Sequence, residues 1–163
     1  MRRKRLDIFY SIEDRSPYLA MHALQAEYGE IIDVRISHPL DLDPSCFSST
    51  RKQYDANCLL SRCLGHDNLF LWIVHEDLFT GNLNFVFGCA IPFKGAILST
   101  YRLRSEDLIE KEAIHEVGHV LGLKHCSNEC VMGFSNSLYE AMLKPKSLCR
   151  SCRKKLKEIH SHV

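Results

Sequence analysis

The chain has no apolar run approaching the roughly 20 residues that cross a bilayer as a helix, so no membrane-spanning segment or membrane partner is expected. It has no dominant charge. Lys and Arg total 21 against 20 Asp and Glu, a formal net charge of +1, so no broad basic field points to nucleic acid. It lacks internal repeats and low-complexity stretches. The start is basic (Met1 to Arg5), but the apolar run behind it, Leu6-Asp7-Ile8-Phe9-Tyr10, is short and carries Asp7. That is not an export signal core, so a solvated tail and a cytoplasmic setting are expected.

What is present is an ordinary globular composition, 45% hydrophobic and 25% charged, in 163 residues. That length suffices for one core. Residues 6–12 and 31–36 have strand character. Between them Ser16 and Pro17 open a helix, with Ser16 as cap, that Gly29 stops. Residues 37–50 suit a loop and 51–64 a helix. The continuous run Leu69–Val74 suits a central strand covered on both faces. Residues 84–91 and 96–103 are expected to pair through the four-residue turn Pro92–Gly95. Ser105, followed by Glu106 and Asp107, should start a helix that reaches about Leu121, and a last helix falls near 150–160. The order is that of a mixed α/β layer with a small C-terminal subdomain, divided as 1–122 and 123–163.

The informative stretch is His115-Glu116-Val117-Gly118-His119, followed by Gly122 and His125. Residues four apart share a helix face, so His115 and His119 can address one ion from successive turns. Glu116 projects beside that face, within reach of a metal-bound water. Gly122 can adopt a left-handed conformation, end the helix and return the chain. His125 then completes three histidines and leaves a fourth position for water, as a catalytic zinc site requires. Ile114, Val117 and Leu121 form the opposite, apolar stripe. In such a site Glu116 serves as general base and then acid.

Eight cysteines in a chain without an export signal favour metal over disulfides. Cys126 and Cys130 are close in sequence, as are Cys149 and Cys152, and eighteen residues separate the pairs. Four thiolates so arranged suit a closed structural zinc site. Reduced core thiols or two disulfides are the competing possibilities. Cys46, Cys58, Cys63 and Cys89 are scattered and are assigned no role beyond small buried residues.

The run from His115 to Cys126, then Cys130-Val131-Met132, then Cys149-Arg150-Ser151-Cys152, resembles the archaemetzincins, minimal metzincin zinc peptidases (peptidase family M54). Fainter similarities, Arg51 to Tyr54 and Asn84 to Gly88, extend the resemblance over most of the chain. It implies a metzincin-like, mostly parallel five-stranded sheet with an antiparallel edge strand, an active-site helix and a small zinc-stabilised C-terminal subdomain. It implies a Met-turn at Met132 beneath the histidines, and an exposed edge, Asn84 to Ala90, that binds an extended peptide. Two zinc ions per monomeric chain and peptide-bond hydrolysis follow from it. A peptide-binding protein of the same fold with little or no turnover is the alternative. A zinc-ribbon nucleic-acid protein is a third reading, carried by Arg150, Arg153, Lys154, Lys155 and Lys157. These basic residues are expected instead to be one solvated helix face.

Overall fold

A computed structural model describes residues 2–161; Met1 of the basic start and the last two positions of the 123–163 segment lie outside the described residues. In chain order the elements are β1 (Lys4–Tyr10), α1 (Ser16–Tyr28), β2 (Ile32–Pro39), a 3-10 turn (Pro44–Cys46), β3 (Phe47–Ser48), β4 (Gln53–Asp55), α2 (Ala56–Ser61), β5 (Leu69–Val74), β6 (Leu78–Phe79), β7 (Gly88–Ile91), β8 (Gly95–Ser99), α3 (Glu106–Val120), α4 (Leu138–Leu143) and α5 (Arg150–His160).

The main sheet has the order β2-β1-β5-β8-β7. All neighbours are parallel except β7, which runs antiparallel to β8 and forms one edge. This is the expected five-stranded arrangement. The apolar continuity of β5 has a two-sided cause. Leu71 and Ile73 join Leu6, Ile8, Ala96 and Leu98 in a core under α1 and α3. Phe70, Trp72 and Val74 join Phe9 and Ile97 in a second core with α2. Each such buried side chain contributes about 1.5–3 kcal/mol before entropy is counted. Val131, Met132, Leu148, Cys152 and Leu156 belong to the first core, so the C-terminal stretch packs onto the same helical layer.

Several expected elements differ in extent, each for a local reason. The helix expected over 51–64 spans only Ala56–Ser61. Lys52 takes a left-handed φ of 57°, residues 53–55 pair with β3 and β6, and the Asp55 carboxylate caps the helix by accepting from Asn57 and Cys58 N–H. The loop expected over 37–50 contains the end of β2, the 3-10 turn and β3. The cap of α1 is Arg15; Ser16 is already helical, its N–H held by the Asp14 carboxylate. Residues 100–103 leave the sheet, because Ser99 Oγ accepts from Tyr101 N–H and donates to Glu76 O. With β8 ending there, residues 84–87 leave the ladder: Phe87 O still accepts from Ser99 N–H at 2.8 Å, and Val86 makes a single antiparallel bridge to Leu78. Only Gly88–Ile91 form a strand, joined to β8 by the turn Pro92–Lys94. Phe93 in that turn has a φ of 61° and donates its N–H to Val120 O at 2.7 Å, tying the turn to the end of α3. The short helix α4 was not anticipated.

Cys46 and Cys58 are not free thiols: they are joined as a disulfide. The 3-10 turn packs against α2 and brings their Cα atoms to 5.5 Å, a proximity that sequence spacing does not reveal. Cys63 is a free, buried thiol whose pKa burial raises, in keeping with an inert core residue.

Candidate metal centre

Helix α3 begins as its sequence dictates. Ser105 Oγ accepts from Leu108 N–H, and Glu106 and Asp107 sit at the positive end of the dipole. At its other end Leu123 N–H bonds Gly118 O at 2.9 Å and Gly122 N–H bonds His119 O at 3.0 Å. With Gly122 at φ 102°, this is a Schellman reversal. It brings residue 125 back alongside the last two turns of α3.

The donor atoms of His115, His119 and His125 lie within 4.8 Å of one another. His115 Nδ1 contacts Val131 O at 2.8 Å and His119 Nδ1 contacts Leu123 O at 2.8 Å. A carbonyl oxygen only accepts, so each ring carries its proton on Nδ1 and presents a lone pair at Nε2. The two Nε2 atoms stand 3.2 Å apart. Two facing lone pairs repel unless a cation lies between them, and tetrahedral bonds of 2.0–2.1 Å to zinc would separate two nitrogens by about 3.3 Å. The donor set therefore fits zinc. All three imidazoles have pKa values below the ordinary 6.5, through burial first. The Lys144 charge acts in the same direction, so the rings remain in the neutral, ligating form.

Glu116 is 5% exposed. Burial raises its pKa to about 8, the neighbouring Glu112 carboxylate adds to the rise, and Lys144 opposes it. Gly88 of β7 lies directly against it: a Cβ there would stand 2.8 Å from Glu116 Cγ and 2.6 Å from Ile97 O. Beneath the helix, a Cβ on Gly118 would meet Met132 Sδ at 2.3 Å. Met132 is fully buried there, and Val131 before it supplies the carbonyl that orients His115. Phe134 sets its ring edge-on to His125, with centroids 5.2 Å apart, and offers no hydrogen-bond donor.

These groups line a cleft of about 460 Å³. Residues 83–90 line it, as do residues 134–136, Lys144, Glu112, Glu116 and the three histidines. The stretch ahead of β7 is held by Gln53, whose Nε2 donates to Asn84 O at 2.8 Å and to Asp77. Gly88, Glu112 and Lys144 were missed from sequence. Glu112 carried a signal, since it precedes Glu116 by four residues and so shares its helix face. Lys144, twenty-nine residues from His115 in a polar stretch, carried none.

The other four candidate ligands also converge. The Sγ atoms of Cys126, Cys130, Cys149 and Cys152 lie within 4.8 Å of one another. Cys126 and Cys149 Sγ are 3.8 Å apart, matching the roughly 3.8 Å that tetrahedral zinc–sulfur bonds of 2.3 Å imply. Backbone N–H groups point at the sulfurs: Met132 and Cys149 donate to Cys130 Sγ, and Cys152 donates to Cys149 Sγ. That last bond leads the causes that lower the Cys149 pKa to about 6, whereas burial raises those of Cys130 and Cys152. Clustered thiols cannot all ionise unaided; a dication would let them.

Comparison with known proteins places these features in context. The model for Peptidase family M54 matches residues 8–158. An archaemetzincin of Nanoarchaeum equitans is 46% identical over 119 residues, covering 72% of this chain and 70% of that protein. The crystal structure of an archaemetzincin from Archaeoglobus fulgidus, complexed with malonate, superposes with a TM-score of 0.85 at 35% identity, covering 93% of this chain and 99% of the other. An archaemetzincin from Methanopyrus kandleri superposes with a TM-score of 0.87 at 29% identity, over 96% and 95% of the two chains.

Proposed function

This chain belongs to peptidase family M54, the archaemetzincins, and from that premise we propose that His115, His119 and His125 hold its catalytic zinc and that Glu116 moves the proton. The protein is a zinc-dependent metallopeptidase, a hydrolase of peptide bonds. The observation that carries the site assignment is the pair of Nε2 lone pairs aimed at each other from rings whose Nδ1 protons are committed to carbonyls.

When bound, zinc polarises the scissile carbonyl and acidifies the attacking water. The remaining work falls to the chain. Glu116, beside His115 on the cleft wall, accepts a proton from that water and delivers it to the leaving amine. The free edge of β7 and the residues before it align an extended peptide, and Gly88 lets its backbone approach Glu116. Phe134 cannot hydrogen-bond an oxyanion, so charge stabilisation falls to the metal.

Cys126, Cys130, Cys149 and Cys152 hold a second, structural zinc, giving two ions per chain. That ion fixes the fold of the 123–163 subdomain, to which all four of its ligands belong, and Met132 serves as the Met-turn. We place the protein in the cytoplasm, as a monomer acting on peptides. Among the described residues no helix is long and apolar enough to cross a membrane. Nucleic acid is not assigned as a partner: the basic residues of α5 are solvated, and Arg153 pairs with Glu27. The non-hydrolytic binder is not favoured, since binding alone leaves Glu116 without a task.

The test compares wild type and Glu116→Gln on a peptide library, with metal content measured by elemental analysis. Loss of cleavage with zinc retained is the expected result. Equal hydrolysis by the two proteins overturns the assignment.

A further inference from the structure

Glu112 and Lys144 form an ion pair inside the cleft, with side chains only 3% and 8% exposed. Lys144 Nζ lies 3.0 Å from Glu112 Oε2, a charge-assisted contact that leaves the second oxygen of the Glu112 carboxylate with lone pairs to spare. Lys144 donates to Gly133 O at 3.2 Å. It also stands 3.3 Å from His115 Nδ1, but that nitrogen spends its proton on Val131 O and has no lone pair to offer. The ammonium thus keeps an uncommitted N–H. Ser135 Oγ, in the same cleft, is likewise buried without a partner.

Three polar groups with unused hydrogen-bonding capacity therefore line one cleft, with Lys144 beside both Glu112 and His115. Buried polar groups left unpaired are costly, so such a cluster points to a ligand that completes it. The cluster also discriminates between ligands. A carboxylate is drawn to Lys144 and repelled by Glu112; an ammonium or guanidinium meets the reverse. An alkyl group satisfies nothing. A carboxamide brings N–H donors for Glu112 and a carbonyl oxygen for Lys144 and Ser135 at once.

We propose that Glu112, Lys144 and Ser135 form a specificity subsite for a carboxamide side chain, Gln or Asn, on the substrate residue flanking the scissile bond. The proposal rests on the peptidase reading of the same cleft. It makes the buried pair a selector rather than a structural strut. Sites built to hydrogen-bond a polar group reject analogues that lack it far more strongly than apolar pockets reject a wrong shape.

The experiment uses zinc-loaded protein and four hydroxamate-capped dipeptides, identical except for a Gln, Glu, Lys or norleucine side chain, with affinities measured by calorimetry. The Gln compound is expected to bind about 10-fold or more tighter than norleucine, with Glu and Lys between or below. In Glu112→Gln the Glu compound gains on the Gln compound by about 10-fold; in Lys144→Met the Lys compound gains similarly. Should Lys144→Met fail to fold, Glu112→Gln and Ser135→Ala carry the test. A ranking led by norleucine, or one unchanged in Glu112→Gln, overturns the subsite. Binding requires no turnover, so the two readings fail separately. A protein that ranks the series as expected but cleaves no peptide upholds the subsite and refutes the peptidase role.

Discussion

Replacing Glu116 by glutamine has a second consequence, in the zinc-free protein, that can be worked out from burial. The carboxyl has an ordinary pKa of 4.5 and a folded-state value of about 8, set by desolvation and then by Glu112. Below pH 4.5 both folded and unfolded chains hold the proton, and Glu116 costs nothing. As pH rises from 4.5 to 8, the unfolded chain releases the proton while the folded chain retains it, so stability falls. At about 1.4 kcal/mol per pH unit, the gap amounts to about 5 kcal/mol above pH 8. That is comparable with the whole stability of many domains. Glutamine keeps the shape and never ionises. In chelator, the Gln variant should match wild type near pH 4.5 and exceed it by several kcal/mol at pH 8.5. The histidines titrate in both proteins and cancel in the difference. Urea unfolding followed through Trp72, the single tryptophan and 1% exposed, provides the assay. A difference between the two proteins that stays constant with pH would refute the reasoning.

Further outcomes follow from the same geometry. Gly88→Ala drives a Cβ into Glu116 Cγ and Ile97 O; expect about 1–3 kcal/mol of lost stability and at least about 10-fold lower kcat at unchanged zinc content, read by melting, kinetics and elemental analysis. Gly122→Ala forces a non-glycine residue to φ 102° against the Phe93 ring, costing about 1–3 kcal/mol and displacing His125, so chelator competition should show weaker zinc binding. Cys149→Ser should reduce metal content from two ions per chain to one and weaken hydrogen-exchange protection in α5. Zinc affinity should fall below pH ~6 as the imidazoles protonate. Metal content that holds in chelator down to pH 4 would contradict this; in the zinc-free fold the lowered histidine pKa values make those residues' own contribution fall as pH drops below 6.5, opposite in sign to that of Glu116.

The parts legible in the sequence were those set locally. Ser105, the acidic first turn and Gly122 mark both ends of α3 within a residue, and Leu69–Val74 announces a strand covered on two sides. The ligand spacing was legible because a helix face and a reversal are short-range geometry. What escaped depends on neighbours distant in the chain. Gln53–Asp55 is a strand because Phe47–Ser48 and Leu78–Phe79 lie beside it, and residues 84–87 leave the ladder where β8 ends at Ser99 and Val86 bridges to Leu78 instead. Cys46 and Cys58 meet through the packing of the 3-10 turn on α2, and Lys144 reaches Glu112 from the far end of the C-terminal stretch. Charge and spacing alone encode none of these.

The hydrogen bond from Phe93 to Val120 has a mechanical corollary. It welds the lip that receives a polypeptide to the rod that carries the two leading imidazoles, while Gly88 seats that lip flush on Glu116. Lip and rod therefore travel as one body, and any widening of the gap between them and the facing wall has to come from residues 134–136 and Lys144.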